Sequence, residues 1–173
     1  MNIIDILLCV VLVICVLTDL KERRIYNKVI YPSLLLTLFI HLFSTGWEGL
    51  LSSIFGFFVG MGLLLIPYLL GGIGAGDVKL LALIGAMKGT VFVLITALYM
   101  ALLGGLLALF VLLFRRGVLA RIKTILYSLS GIRQGVKIPL TIAKEDYKAT
   151  YPYGVAIAGG ALLSFFLSGV SLV

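Results

Sequence analysis

Long runs without a charged residue constrain this chain more than any other feature of its sequence. Four of them approach or exceed the roughly 18 apolar residues that indicate a transmembrane helix: Val29 to Trp47, Gly49 to Gly76, Gly89 to Phe114 and Ala149 to Val173. Apolar residues make up 62% of the chain and charged residues 12%, whereas globular proteins have about 45–50% and about 25%. The sequence therefore predicts an all-α, polytopic membrane protein.

Two shorter apolar segments raise the predicted number of transmembrane helices to six. Ile3 to Thr18 carries Asp5 but has neither the basic start nor the small-residue cleavage site of a signal peptide, so we expect it to be retained as a helix. Val78 to Met87 covers only about half of a hydrocarbon core roughly 30 Å thick. It can cross only if its ends lie inside the membrane.

The basic residues favour six crossings over five. With six crossings and the N-terminus outside, every Lys and Arg except Lys88 lies on the cytoplasmic side, as the positive-inside rule requires. Without the short segment, the loop after Phe114 would face away from the basic residues that follow the first helix. We therefore predict a multi-pass protein of the cytoplasmic (inner) membrane with both termini outside. The net charge of +7 then indicates topology and attraction to anionic lipids, not nucleic-acid binding.

No repeat or linker divides the sequence, so we predict one membrane domain over residues 1–173. Its polar loop at about 115–150 has apolar residues at helical spacing among basic ones. This pattern is typical of an amphipathic helix on the cytoplasmic membrane surface, and a solvated connector fits equally well. Gly56 and Gly60 form a small-xxx-small pair that predicts close helix packing. A homodimer seam is the alternative explanation for this pair.

The usual metal-binding residues are scattered. Cys9 and Cys15 lie in one predicted helix at a spacing that points them to different faces, so they predict neither a zinc site nor a disulfide. His41 falls in the outer half of the second predicted helix, where packing explains it better than catalysis. We expect no metal and no cofactor.

Two acidic residues differ from the others in their setting. Asp19 ends the first predicted helix and Asp77 opens the short fourth one, so both lie on hydrophobic helices at the cytoplasmic side. An aspartate at a helix centre in a membrane costs about 2.5–3.5 kcal/mol, and less near the interface, which favours a function for both. Two neighbouring carboxylates can share one proton and serve as the acid and base of an aspartic protease. The helix dipole favours Asp77 as the base and Asp19 as the acid.

Three short segments carry a resemblance to a known family. Gly74-Ala75-Gly76-Asp77-Val78-Lys79 resembles the G-x-G-D-x-K motif of the type IV prepilin peptidases, a branch of the GxGD membrane aspartyl proteases. Ile25-Tyr26-Asn27 looks like the family's Ile-Pro-Asn after its first catalytic aspartate, with Tyr26 in the place of the proline. Tyr151-Pro152-Tyr153-Gly154 looks like the segment that opens the family's last helix.

This resemblance implies an aspartic endopeptidase in which Asp19 and Asp77 are catalytic. The motif residues that it places near the substrate are Gly74, Gly76, Lys79, Asn27, Pro152, Tyr153 and Gly154. The implied substrate is a prepilin or pseudopilin precursor with a basic leader and a hydrophobic N-terminal helix. The leader would be removed at the cytoplasmic membrane face, as part of type IV pilus assembly or protein secretion.

Two further expectations depend on the resemblance. Bifunctional members of the family carry an N-terminal methylation domain with paired CxxC motifs, whereas this chain is more similar to the short, peptidase-only members of Flp or Tad type. We therefore expect no N-methyltransferase activity. Glu145 and Asp146, an adjacent acidic pair in the cytoplasmic loop, could bind the basic leader, although a solvated charge pair explains them better.

Other classes of membrane protein also place aspartates in helices. An ion-coupled transporter would do so, and would break a helix with glycines, but its acids are expected near the midplane between repeated halves. A non-enzymatic scaffold would explain the small-residue pairs and leave Asp19 and Asp77 without a role. The aspartic peptidase is the function that the sequence favours.

Overall fold

The computed structural model describes residues 2–114 and 153–170. These residues form five α-helices: α1 (Ile3–Glu22), α2 (Asn27–Leu69), α3 (Ala75–Lys88), α4 (Thr90–Phe114) and α5 (Tyr153–Val170). The all-α prediction is confirmed for this part of the chain. The amphipathic segment predicted at about 115–150 lies outside the described residues.

Three of the described helices are long and apolar enough to cross a membrane. They are Ile3–Glu22, Asn27–Leu69 and, within α4, Thr90–Leu107, while α5 contributes the shorter apolar stretch Tyr153–Leu167. A membrane protein with several candidate spans is thus confirmed. The predicted number of six crossings is not established by helix length and composition.

The chain separates into two units. The first consists of Met1–Gly104 and Pro152–Val173, and the second of Gly105–Tyr151. Asp19, Asp77 and the helix contacts around them belong to the first unit. Of the second unit, the structure describes residues 105–114, which form the end of α4. The single domain over residues 1–173 stays a prediction.

Helix α2 contains a sharp break at Gly46, whose φ of 68° and ψ of −148° are not helical. Only glycine adopts such angles without strain, because it has no Cβ. The sequence predicts two separate helices on either side of this point, and the structure has two helical arms, residues 27–45 and 47–69, that meet at Gly46. At about 1.5 Å per residue, each arm is roughly as long as a hydrocarbon core is thick.

The first arm of α2 runs in the same direction as α3. Near its start, the Asn27 side chain accepts a hydrogen bond from Lys79 at 2.9 Å. Near its end, His41 Nε2 lies 3.3 Å from the carbonyl oxygen of Met87. Increasing residue numbers in the arm therefore match increasing residue numbers in α3.

The second arm runs the opposite way. Its Ser53 hydroxyl donates to the carbonyl of Ala86 at 2.8 Å, and further along, a Cβ placed on Gly60 would lie 2.5 Å from the carbonyl oxygen of Leu81. The chain therefore reverses its direction at Gly46, and α3 packs against both arms.

Helix α3 lies at the centre of the first unit. All its residues from Leu80 to Met87 are buried, and it contacts α1, α2 and α5. A helix that is apolar on every side is typical of a protein core or of a membrane span, and here other helices enclose it. This enclosure explains how a helix of 14 residues, about 21 Å long, can lie inside a membrane protein.

Helix α5 packs closely on α4. A Cβ on Gly160 would lie 2.7 Å from both the carbonyl oxygen of Thr96 and the amide nitrogen of Met100. Thr96 and Ser164 are buried and hydrogen-bond each other at 3.2 Å. Small residues and a polar pair of this kind are typical of helix contacts in membranes, where apolar surface alone gives little drive for association.

Candidate active site

Asp19 lies one turn before the end of α1. The helix ends at Arg23, whose left-handed backbone (φ 52°, ψ 39°) lets its amide donate to the Asp19 carbonyl oxygen at 2.8 Å. A non-glycine residue in this conformation costs roughly 1–2 kcal/mol, so the end of the helix is fixed by its surroundings. Asp19 is only 6% exposed, even though Lys21, Arg23 and Arg24 follow it closely.

The start of α5 contacts the Asp19 carboxylate directly. The Gly154 amide donates to Asp19 Oδ2 at 3.0 Å, and a Cβ on Gly154 would lie 2.6 Å from the same oxygen. Only glycine can bring its backbone this close to the carboxylate. The resemblance placed Gly154 near the substrate, and the structure places it against one of the two predicted catalytic side chains.

Asp77 is held by the first turn of α3. The helix begins after Gly74, and the Gly74 amide donates to Asp77 Oδ2 at 3.3 Å. An acid at the third helical position satisfies an amide that has no partner within the helix. Asp77 is 9% exposed, so this carboxylate is also withdrawn from solvent.

Gly76 brings the two aspartates toward each other. A Cβ at this position would lie 2.9 Å from the Ile25 Cβ, so the first turn of α3 packs directly on the connection that follows Asp19. Asp77, the next residue in that turn, consequently lies beside the end of α1. The structure thus brings Asp19, Asp77, Gly76 and Gly154 together where the end of α1 meets the starts of α3 and α5.

Lys79 binds the start of α2 instead of an aspartate. Its Nζ donates to the Asn27 Oδ1 at 2.9 Å and lies 5.6 Å from the centroid of the Tyr31 ring. Residues two apart face different sides of a helix, which directs Lys79 away from Asp77. The structure adds a specific partner, Asn27, which the family motif also contains.

Tyr26 occupies the position where the family has proline. Its φ of −81° is close to the value that proline imposes, so the substitution leaves the turn before α2 nearly unchanged. The Tyr26 hydroxyl hydrogen-bonds the Glu22 carboxylate, which raises the pKa of the tyrosine. The altered residue therefore affects the surface near the site more than the backbone that positions Asp19.

The sequence suggests that the helix dipoles favour Asp77 as the base and Asp19 as the acid. In the structure the dipoles do not distinguish the two residues in this way. Asp19 lies at the C-terminal end of its own helix, which disfavours negative charge, but it also accepts the Gly154 amide at the N-terminal end of α5. Asp77 lies at the N-terminal end of α3. Both carboxylates therefore face a helix N-terminus, where negative charge is favoured.

Several predicted residues are not part of this arrangement. Pro152, Glu145 and Asp146 lie outside the described residues, and Tyr153 begins α5 beside Gly154. His41 contacts Met87, at the opposite end of α3 from Asp77. Within residues 2–114 and 153–170, His, Cys, Asp and Glu do not form a group of three that could bind a metal ion.

A comparison of the sequence with models of protein families gives one match. The sequence model of the Type IV leader peptidase family matches residues 6–109, which include both aspartates. The chain belongs to the Type IV leader peptidase family. Membership of this leader peptidase family implies prepilin leader peptidase activity and indicates an aspartic endopeptidase. No curated protein and no solved structure gives a significant match.

One charged pair was not anticipated from the sequence. Asp5 and Lys88 form a salt bridge of 2.7 Å, although 83 positions separate them in the chain. The predicted topology placed both residues on the outer side, and that shared location is the one signal in the sequence that could have suggested the contact.

Proposed function

We propose that this leader peptidase hydrolyses prepilin or pseudopilin precursors at the cytoplasmic membrane face, with Asp19 and Asp77 as its two catalytic groups. The observation that carries the proposal is that two buried carboxylates, from helices far apart in sequence, lie where the first turn of α3 packs on the residues that follow Asp19. Family membership supplies the substrate class. The basic leader would approach the cytoplasmic ends of α1 and α3.

The reaction uses one proton shared between the carboxylates. The ionised aspartate takes a proton from a water molecule as that water attacks the carbonyl carbon of the scissile peptide bond, while the protonated aspartate donates a hydrogen bond to the carbonyl oxygen. The tetrahedral intermediate collapses when a proton passes to the leaving nitrogen and the C–N bond breaks. The leader leaves with a new carboxylate, the mature pilin has a free amino terminus, and the pair holds one proton again.

The site's withdrawal from solvent serves this chemistry. In a region of low dielectric, one charge strongly disfavours a second nearby, so the pair keeps a proton over a wide pH range. The glycine-rich entry to α3 leaves its backbone uncovered beside Asp77, which suits an extended peptide substrate. Neither step calls for a metal or cofactor.

The proposed topology has six crossings, both termini outside and Asp19 and Asp77 facing the cytoplasm. The reversal at Gly46 supports it, because the two arms of α2 would cross in opposite directions. The distribution of Lys and Arg supports the orientation. Attraction to anionic lipids, leader binding by Glu145 and Asp146, the lack of N-methyltransferase activity and a homodimer stay predictions.

Asparagine substitutions test the catalytic roles. Asp19→Asn and Asp77→Asn keep a side-chain oxygen that can still accept the Gly154 or Gly74 amide, so each removes the ionisable group with little change of shape. On co-expression with a prepilin substrate, we expect each variant to cleave the leader at least about 100-fold more slowly than wild type.

The matched control is Glu48→Gln, which removes an exposed acid elsewhere in the chain and should cleave at the wild-type rate. Wild-type leader removal by both aspartate variants would contradict the proposal and favour a transporter or a scaffold. A transporter would instead show substrate-dependent ion flux in proteoliposomes, lost in both variants.

A further inference from the structure

The ends of α1 and α3 remote from the catalytic aspartates are joined by a charged contact. Lys88 Nζ donates to Asp5 Oδ1 at 2.7 Å, and the other carboxylate oxygen of Asp5 accepts the Asn2 amide at 2.8 Å. Both oxygens of Asp5 are therefore engaged. The carboxylate is fixed to the start of its own helix and, through Lys88, to the last turn of α3.

Lys88 also contacts two other helices. Its ammonium lies 5.5 Å from the ring centroid of Phe92 in α4 and 5.3 Å from that of Phe165 in α5. An ammonium over an aromatic face is attracted to it and is held more firmly when water is partly excluded. One side chain thus connects the ends of α1, α3, α4 and α5.

The surroundings explain why this pair is tolerated at the edge of an apolar core. The Lys88 side chain is 25% exposed and the Asp5 side chain 11%, and both line a cavity of about 220 Å³ that also includes His41 and Ser53. Partial access to water lowers the desolvation penalty that burdens fully buried ion pairs. Removing only one partner would still leave the other charge without its counterion.

Helices α1 and α3 run antiparallel, with Asp5 beside Lys88 at one end and Asp19 near Asp77 at the other. At 1.5 Å per residue, Asp5 and Asp19 are about 21 Å apart along α1, and Asp77 and Lys88 are about 16–17 Å apart along α3. The four-carbon stem of Lys88 can span the difference between these two separations. If α1 slides along α3, the contact of Asp5 with Lys88 and the spacing of Asp19 and Asp77 therefore change together.

We propose that Asp5 and Lys88 are positioning residues that fix the axial register of α1 against α3, and with it the spacing of Asp19 and Asp77. This inference rests on the proposed function of the two aspartates. The pair lies at the far end of α3 and does not touch the substrate. A slip of one residue would move Asp19 by about 1.5 Å along α3, and a misplacement of about 1 Å can cost about 100-fold in rate.

The test compares variants that change charge and register separately. Lys88→Met leaves Asp5 unpaired, Asp5→Asn/Lys88→Met removes both charges, and Lys88→Arg keeps the pair. If the pair sets the register, the neutral double variant should regain much of the thermal stability that Lys88→Met loses, yet keep a kcat at least tenfold below wild type. Its KM should stay within about twofold, because the substrate-binding surface is unchanged.

Two controls accompany these variants. Lys88→Arg should retain most of the wild-type kcat, and Glu48→Gln should match wild type in both stability and kcat. If the double variant recovers kcat together with stability, the pair only avoids an unpaired charge and the proposal is overturned.

A second measurement reports the register without catalysis. Spin labels at Leu20→Cys and Ala75→Cys, both exposed positions near the aspartates, are introduced after Cys9→Ala, since Cys15 is buried. Pulsed electron paramagnetic resonance should give a narrow distance distribution for the wild-type pair and for Lys88→Arg, and a shifted or broader one for the neutral double variant. An unchanged distribution would reject the register role. If wild type fails to cleave a prepilin, the proposed function fails, and the distance measurement still decides this inference.

Discussion

Two glycine amides hold the proposed catalytic side chains. Gly154 donates to Asp19 and Gly74 donates to Asp77, so among the residues that the structure describes, each carboxylate is oriented by a backbone amide. A backbone donor has no rotamers of its own, which makes it a rigid support for a reacting group. The absence of a Cβ is required at Gly154, because its backbone lies against the Asp19 carboxylate.

Gly154→Ala tests this support. The added Cβ would lie 2.6 Å from Asp19 Oδ2, so the carboxylate must move while the helices keep their places. We expect kcat for leader cleavage to fall about 10- to 100-fold, with little change in thermal stability. Gly104→Ala is the matched control, because its Cβ would meet the Ala156 Cβ at an ordinary 3.9 Å. A Gly154→Ala enzyme with wild-type kcat would contradict this role.

The central packing of α3 depends on backbone contact between helices. Gly56 in the second arm of α2 faces Gly85 of α3, and a Cβ on Gly56 would lie 2.0 Å from the Gly85 carbonyl oxygen. The sequence left open whether the small-xxx-small pair of Gly56 and Gly60 serves helix packing or a homodimer seam. In the structure Gly56 packs against another helix of the same chain. Close approach of this kind gives dispersion contacts that larger residues would prevent.

Gly56→Ala is expected to destabilise the protein by about 1–3 kcal/mol, because the methyl group must push the second arm away from α3. This cost exceeds the roughly 0.5–1 kcal/mol that a glycine-to-alanine change gains within a helix. Thermal unfolding in detergent measures the difference. Gly62→Ala in the same arm has no atom within 4 Å of its Cβ and should be neutral or slightly stabilising, and equal melting temperatures for the two variants would refute the packing argument.

The reversal of α2 makes the proposed membrane topology of the whole chain testable. Exposed Lys21 and Glu48 lie on either side of the first arm of α2. If that arm crosses, these residues must lie on opposite faces of the bilayer.

The measurement uses a single cysteine at one of these two positions at a time. The two native cysteines are first removed by Cys9→Ala and Cys15→Ala. Glu48→Cys should react with a membrane-impermeant maleimide added to intact spheroplasts, whereas Lys21→Cys should react only after the membrane is opened. Labelling of both from the same side would show that the first arm does not cross. Labelling in the reverse pattern would place the aspartates on the outer face.

The sequence alone predicted the class of the protein and the two residues that we propose as catalytic. Long uncharged runs require helices in a membrane, because the bilayer offers no hydrogen bonds to an open backbone. Acids are costly in such helices, so Asp19 and Asp77 could be selected by their setting, and the motif around Asp77 pointed to the family that residues 6–109 match. The helix break near Gly46 was also predictable, although not its angle.

Only the tertiary structure decided which backbone groups contact the aspartates and which charges pair. The Gly154 contact with Asp19 spans 135 positions and the Asp5–Lys88 contact 83. Local sequence patterns report on neighbours within a few turns of one helix, whereas these contacts depend on how α1, α2 and α5 pack around α3. Their geometry depends on how α1 packs against α3 and α5, which no single helix carries in its own sequence.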